Sequence, residues 1–471
     1  MGAFLSVLAL MGGILSVSGS PPVPHPPTIV FSSKPTILSV RKSKGKEEGE
    51  AGEEGGVERL DYRTLLQTRV PSLFTEFKPL WRLFNAHLQT LYCVFGDFTK
   101  VDRMSYVRNY IQTPDGGTLG LDFAPIDQTS VREDTPIVVV QHGLTGGSYE
   151  PYVRAILSRA CAPVEKGGLG YRAVVINFRG CAGVPVTSPR LYSAGHTDDT
   201  RNALAFISQQ FPDARLLGLG FSLGSNVLTR YLGEEGTETR LHSVCALACP
   251  WNLQHNNHGL LNTFIGKHIY SKGMGGNLLN LLRKHEASLT ADPTHYVCIA
   301  AKNALALKNP TLEQFDEAFT RIGGGPPPHF PFPSSDDYYV WGSSDKVIPN
   351  IAVPFLGINA DDDPVVTRVP MEGVTNGLVT IRLTRGGGHL GWFTAGDGFV
   401  DRWTTRPVLE WLKLMGEDYI IEQGSNPRRM FVDEEGWLRE EGMPHLGSKE
   451  MKEKIRVVEG TGGEVGILQG L

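Results

Sequence analysis

Leu217-Gly218-Leu219-Gly220-Phe221-Ser222-Leu223-Gly224-Ser225-Asn226 is the stretch on which the reading of this chain turns. An apolar, strand-like run over 216–221 stops at a serine bracketed by Gly220 and Gly224, and a helical pattern follows over 225–232. A serine on so sharp a strand-to-helix turn sits in strained backbone, needs small neighbours, and holds its hydroxyl clear of the chain. The amide of Leu223 is then aimed at the same point, and the helix N-terminus favours negative charge developing there. Taken alone, G-x-S-x-G is also an ordinary glycine-rich turn. The strand before it and the helix after it make Ser222 a candidate nucleophile.

Working outward, short apolar runs recur at 136–141, 173–177, 244–248, 355–358 and 379–383. They are apolar throughout rather than alternating, which suits strands covered on both faces, and helical segments such as 199–209 supply the crossovers. The pattern predicts a doubly wound, mostly parallel α/β sheet. The interval 254–349 breaks the rhythm with helical patches such as 311–320 and the turn-rich Gly323-Gly324-Gly325-Pro326-Pro327-Pro328. It reads as an inserted helical cap over the strand ends, where such sheets place ligands.

A serine nucleophile needs a base, and the base an orienting acid. Downstream, the strand at 355–360 ends in Asp361-Asp362-Asp363-Pro364, and the strand at 379–383 leads to Gly386-Gly387-Gly388-His389. This gives the order Ser, Asp, His with acid and base in loops at strand ends. His389 is the predicted base. Asp363 is the predicted acid because it stands where the chain turns from its strand, Asp362 is the reserve, and an unused carboxylate would be a solvated turn residue. A second oxyanion donor is expected in Gln141-His142-Gly143-Leu144-Thr145-Gly146, Leu144 first and Thr145 next. His142 reads as a loop brace more than a second base, and His196 as part of the helix start marked by Asp198 and Asp199. Apolar pairs in the insertion make Phe264 and Leu278 candidate acyl-binding residues.

The chain has 471 residues, 41% of them hydrophobic and 20% charged, an ordinary globular balance. With 45 Lys+Arg against 50 Asp+Glu there is no basic field, and nucleic acid is excluded as an expected partner. The six cysteines form no CxxC pair and read as buried thiols. No metal-ligand cluster, Walker lysine or dinucleotide fingerprint competes, so neither metal nor cofactor is expected.

One α/β domain is expected over 61–424, with the cap at 254–349. Residues 1–20 form a hydrophobic segment short of a comfortable transmembrane span; an anchor, a cleaved signal, a myristoylated start or none of these fits it. Residues 21–60, with the basic knot 41–46 and the acidic run 47–58, read as a disordered linker, and 425–471 as a partly ordered tail with Trp437 as its anchor. The expected location is membrane-associated and intracellular, with soluble cytoplasmic and secreted forms open.

Several strings, in order, resemble the AB hydrolase 4 family of α/β-hydrolase-domain esterases, lipases and acyltransferases, which includes the yeast medium-chain fatty acid ethyl ester synthase/esterases. They are Asn85-Ala86-His87-Leu88-Gln89-Thr90, Asp115-Gly116-Gly117 with Leu121-Asp122, His142-Gly143-Leu144-Thr145-Gly146, Asn177-Phe178-Arg179-Gly180-Cys181, Gly220 to Gly224, Phe315-Asp316 with Thr320, Tyr338-Tyr339, Asn359 to Pro364, and Gly387-Gly388-His389. The resemblance spans roughly 77–411 and implies the α/β-hydrolase fold, with the aspartate before the proline as triad acid. It further implies short- to medium-chain acyl esters, acylglycerols, or acyl-CoA plus an alcohol as substrates. A membrane or lipid-droplet surface is a further candidate partner. Three activities stand: a serine ester hydrolase or lipase, an acyl-CoA:alcohol O-acyltransferase on the same residues, and an inactive lipid-binding homologue.

Overall fold

The computed structural model describes residues 28–34, 36–42, 56–372, 374–396, 400–421, 426–452 and 455–460. Its principal strands are β1 (Thr28–Phe31), β2 (Ile37–Arg41), β3 (Val57–Asp61), β4 (Ser105–Gln112), β5 (Thr118–Ala124), β6 (Ile137–Gln141), β7 (Arg172–Asn177), β8 (Leu216–Phe221), β9 (Ser243–Leu247), β10 (Phe355–Ala360) and β11 (Val379–Thr384). The central sheet runs β1-β11-β10-β9-β8-β6-β7-β5-β4. From β11 to β7 all neighbours are parallel, while β1 on one edge and β5 and β4 on the other are antiparallel. The expected doubly wound α/β sheet is therefore present, with antiparallel margins.

Successive side chains of a strand point to opposite faces, so a strand covered on both must be apolar throughout. In β6, Ile137 and Val139 pack with Leu204, Leu228 and Trp251, and Val138 and Val140 pack with Tyr152, Ile156 and Trp411. With α1 (Tyr62–Arg69) and α2 (Ala86–Phe95) nearest the N-terminus, α3 (Pro151–Ala160), α4 (Asp198–Gln210) and α5 (Leu223–Glu235) supply the first crossovers. Four longer helices, α6 (Leu253–Leu261), α7 (Lys272–Lys284), α8 (Tyr296–Leu305) and α9 (Ser335–Gly342), fall between β9 and β10, and α10 (Thr405–Lys413) follows β11. Along α7, Met274, Leu278, Leu281 and Leu282 form the apolar stripe of an amphipathic helix, buried with Leu260, Phe315 and Phe319.

Register places the site. Gln141 of β6 lies opposite Gly220 of β8, Phe221 opposite Leu247, and Ala360 of β10 opposite Thr384 of β11. The loops leaving β6, β8, β10 and β11 thus emerge at one end of the sheet. Because β6 lies between β7 and β8, its end is the switch point where open α/β sheets bind ligands.

The linker expectation for 21–60 needs correction. Thr28–Phe31 pairs with β11, and Ile37–Arg41 with β3, so the short β-branched runs TIVF and ILSVR join sheets although composition around them is polar. The charged run at 43–55 lies outside the described residues, as does the N-terminal segment 1–20. The C-terminal stretch is also more structured than its composition suggests. Short strands β12 (Phe393–Ala395), β13 (Val400–Arg402) and β14 (Tyr419–Ile420) precede a hairpin of β15 (Met430–Val432) and β16 (Leu438–Glu440), and β17 (Lys449–Glu450) and β18 (Arg456–Glu459) pair with β4. Its buried anchors are Leu438 and Leu446; Trp437 is only half-buried. Among the described residues no helix is long and apolar enough to cross a membrane.

Candidate active site

Ser222 occupies the turn between β8 and α5 with φ 50° and ψ −118°, a conformation that costs a non-glycine residue energy and persists only when its surroundings enforce it. The enforcement is visible. The Ser222 amide donates to the Leu247 carbonyl at 2.9 Å, and its own carbonyl accepts from the amides of Ser225 and Asn226. A Cβ at Gly224 would fall 2.3 Å from the Gln141 carbonyl oxygen, and one at Gly220 would fall 2.5 Å from the Ser225 Cα. The flanking glycines thus permit the helix to enter against β6 and β8, a packing reason beside the conformational one inferred from the motif.

Ser222 Oγ lies 2.8 Å from His389 Nε2, and His389 Nδ1 lies 2.8 Å from Asp363 Oδ2. A carboxylate can only accept, so the Nδ1–H donates to Asp363 and leaves Nε2 to accept from the serine hydroxyl. Asp363 Oδ1 accepts from the amides of Val365 and Val366 at 2.8 and 2.9 Å, which fixes the carboxylate. His389 and Asp363 are buried, and Ser222 is 4% exposed. The three residues expected to meet are brought together.

The neighbouring aspartates are not idle turn residues, contrary to expectation. Asp361 Oδ1 accepts from the Gly386 amide at 2.7 Å and Asp362 Oδ1 from the Gly388 amide at 2.9 Å, so both hold the histidine loop. Burial raises the Asp362 carboxyl to about 6. Thr90 completes the support: its Oγ1 accepts from the His389 amide at 2.9 Å and donates to the Ala86 carbonyl. Next to it, Gln89 Oε1 accepts from the Phe393 amide at 2.7 Å. Gln89 and Thr90 belong to a string quoted above for the family resemblance alone, and their burial side by side in α2 is visible only in the fold.

Leu144 and Leu223 both line the cavity beside Ser222, and neither amide donates to a protein acceptor among the described residues. Leu223 is the first residue of α5, whose amide has no partner within the helix. Thr145, the other donor considered, is committed, since its amide donates to the Tyr192 hydroxyl at 2.9 Å. Tyr192, missed in the sequence, stacks on Phe178 with ring centroids 4.7 Å apart. His142 braces the loop as expected: Nδ1 bonds the Gly143 carbonyl at 2.8 Å and Nε2 accepts from the Phe178 amide. Burial lowers its pKa to about 4, so it is neutral. His196 pairs with Asp198 at 3.1 Å, and Asp199 instead holds the buried Arg179 at 2.7 Å.

Leu278 lines the cavity with Leu253, Leu260, Met274, Leu312 and Val365. Phe264 does not: it is 71% exposed, with its ring against His268. The spacing that carries residues 253, 256, 257 and 260 to the cavity would carry 264 as well, but α6 ends at Leu261 and the turn points Phe264 outward. Among the described residues no group of three or more His, Cys, Asp or Glu side chains is placed to hold a metal ion.

A family model described as alpha/beta hydrolase fold matches residues 136–389. The chain belongs to the α/β-hydrolase family. This hydrolase is 31% identical to a monoacylglycerol lipase of Saccharomyces cerevisiae, covering 85% of its own length and 93% of the relative. It is 34% identical to an abhydrolase domain-containing protein of Dictyostelium discoideum, over 73% and 82% of the two chains. It is 27% identical to medium-chain fatty acid ethyl ester synthase/esterase 2 of S. cerevisiae, over 76% and 91%. The family resemblance read from the sequence is thereby borne out, and the relatives of this hydrolase include a lipase and an esterase.

Proposed function

We propose that this hydrolase cleaves carboxylic esters of fatty acyl chains, acylglycerols among them, through an acyl-enzyme on Ser222. The observation that carries the reading is the relay of two 2.8 Å contacts from Ser222 through His389 to Asp363 at the wall of an apolar cavity. As Ser222 Oγ attacks the ester carbonyl carbon, its proton passes to His389 Nε2. The imidazolium formed is held by Asp363, and the oxyanion by the amides of Leu144, in the loop after β6, and Leu223, at the N-terminus of α5. Collapse breaks the bond to the alcohol oxygen, which leaves with the proton from Nε2. Water then attacks the acyl-enzyme, giving a proton to Nε2, and the acid departs as that proton returns to Ser222 Oγ.

An alcohol in place of water would complete acyl transfer with the same residues, as the printed name of the ethyl ester synthase/esterase relative describes for that protein. Acyl-CoA would then be the donor. In either reading the apolar lining takes the acyl chain, and a membrane or lipid-droplet surface is where such an ester would be met. The test is hydrolysis of esters of increasing acyl length, with and without ethanol. Free acid as the main product supports the proposal, and ethyl ester dominating at modest ethanol supports transfer instead.

A further inference from the structure

On α6, Leu253, Asn256, Asn257 and Leu260 form one stripe at the i, i+3, i+4, i+7 spacing and line the cavity that holds Ser222. Two asparagines in the middle of an apolar stripe are out of keeping with packing alone. Asn257 is 3% exposed, and neither its Nδ2 nor its Oδ1 has a hydrogen-bond partner in the protein. Asn256, 4% exposed, has Oδ1 accepting from the Thr367 amide at 3.0 Å, which fixes the orientation of its amide and leaves Nδ2 unpartnered. Buried amide groups are normally paired, and a pair left over in the wall of a substrate cavity is open to bonds from a ligand.

We propose that Asn256 and Asn257 read the free hydroxyls of the substrate's alcohol half, so that the enzyme selects glycerol monoesters over simple alkyl esters of the same acid. The inference rests on the ester-hydrolase reading of Ser222. A saturated acyl chain has nothing to offer an amide, and the ester carbonyl is met by the amides of Leu144 and Leu223. The alcohol half is what remains. A hydroxyl both donates and accepts, which suits Asn257 with Oδ1 and Nδ2 unpaired, and a vicinal diol presents two such groups to adjacent asparagines. An ethyl ester would leave both amides bare, and sites built around a substrate hydroxyl reject analogues that lack it.

The charge of the lining separates an uncharged polyol from a phosphorylated head group. Among the described residues the cavity is lined by no lysine or arginine, and its ionisable acid is Asp316, 5% exposed and accepting from the Tyr339 hydroxyl at 2.7 Å. A phosphate would sit beside a carboxylate with no cation to balance it.

The experiment compares kcat/KM for the 1-glycerol monoester, the ethyl ester and the glycerophosphate monoester of one medium-chain acid. It uses the full-length wild type, Asn257→Leu and Asn257→Ala. The wild type should favour the glycerol ester over the ethyl ester by roughly tenfold or more, and the glycerol ester should lose roughly tenfold more than the ethyl ester in either variant. Asn257→Leu removes two unpaired buried groups at nearly constant volume, and Asn257→Ala covers the case in which leucine is not accommodated. A wild type indifferent to the alcohol, or a ratio unmoved in both variants, would overturn the assignment, as would preference for the phosphorylated ester. No turnover of any of the three esters by the wild type would instead overturn the ester-hydrolase reading and take this one with it.

Discussion

Asp362 Oδ1 accepts the amide of Gly388 at 2.9 Å, one residue ahead of Asp363 and one ahead of His389. With Asp361 on Gly386 and Asp363 on His389, the loops after β10 and β11 are joined by three bonds. The register of the acid is therefore set by its neighbours as well as by its own bond. Asp363→Asn should lower kcat/KM by on the order of 10⁴, because an amide no longer enforces the Nδ1–H tautomer, and Asp361→Asn and Asp362→Asn should do far less. Steady-state rates for the three variants check this, and a loss at Asp362→Asn equal to that at Asp363→Asn would contradict it.

The same carboxylate makes a pH-dependent contribution to stability. Burial raises Asp362 from the ordinary value near 3.8 to about 6, so between these limits the native protein binds more protons than the unfolded chain. Stability through this group therefore falls as pH rises from about 4 to about 6 and stays reduced above. Asp362→Asn keeps an acceptor for Gly388 and removes the charge. Its melting temperature should exceed the parent's at pH 7.5 and approach it near pH 4. Asp316, also raised to about 6 by burial, acts with the same sign in parent and variant and cancels in the difference. A gain independent of pH would contradict the account.

Tyr192 sets the oxyanion loop by accepting the Thr145 amide at a residue whose φ is 57°. In Tyr192→Phe that amide is left buried and unpaired, and the neighbouring Leu144 amide loses its alignment. Since outright removal of an oxyanion donor costs about 10²–10³ in kcat, the indirect loss should be roughly 10–100-fold in kcat with little change in KM. An unchanged kcat would take the loop out of the chemistry.

Chain-length selectivity separates Leu278 from Phe264. Each methylene buried against the lining contributes about 0.8 kcal/mol, so kcat/KM should climb up to about fourfold per carbon and then level. Leu278→Trp should bring the plateau to shorter chains. Phe264→Ala should not move it, because that ring faces solvent. A profile shifted by Phe264→Ala and untouched by Leu278→Trp would reverse the assignment.

The parallel core and the serine, aspartate and histidine were legible because each depends on a local pattern: a continuous apolar run, and a glycine or proline turn at its end. The position of Leu144 beside Ser222 was legible for the same reason. Tyr192, Thr90 and Gln89 were not, since each acts on a loop distant in sequence and nothing local distinguishes it from a core residue. The edge strand Thr28–Phe31 was hidden by the composition around it, because four residues suffice to pair with β11 whatever surrounds them. Phe264 misled because an apolar pair does not say which way its side chains face: the chain turns after α6 ends at Leu261, and the ring is left to solvent. Asn256 and Asn257 interrupt an apolar stripe, a signal that acquires meaning only when the stripe is seen to face Ser222.

Covalent labelling of the full-length protein with a tagged fluorophosphonate, wild type beside Ser222→Ala, tests the central claim most directly. The reagent captures a serine only where base and oxyanion donors activate it. The account predicts stoichiometric labelling of the wild type on the peptide carrying Ser222, and loss of both label and ester turnover in a Ser222→Ala protein that melts like its parent. Label retained by Ser222→Ala, or found on a different residue of the wild type, would contradict it.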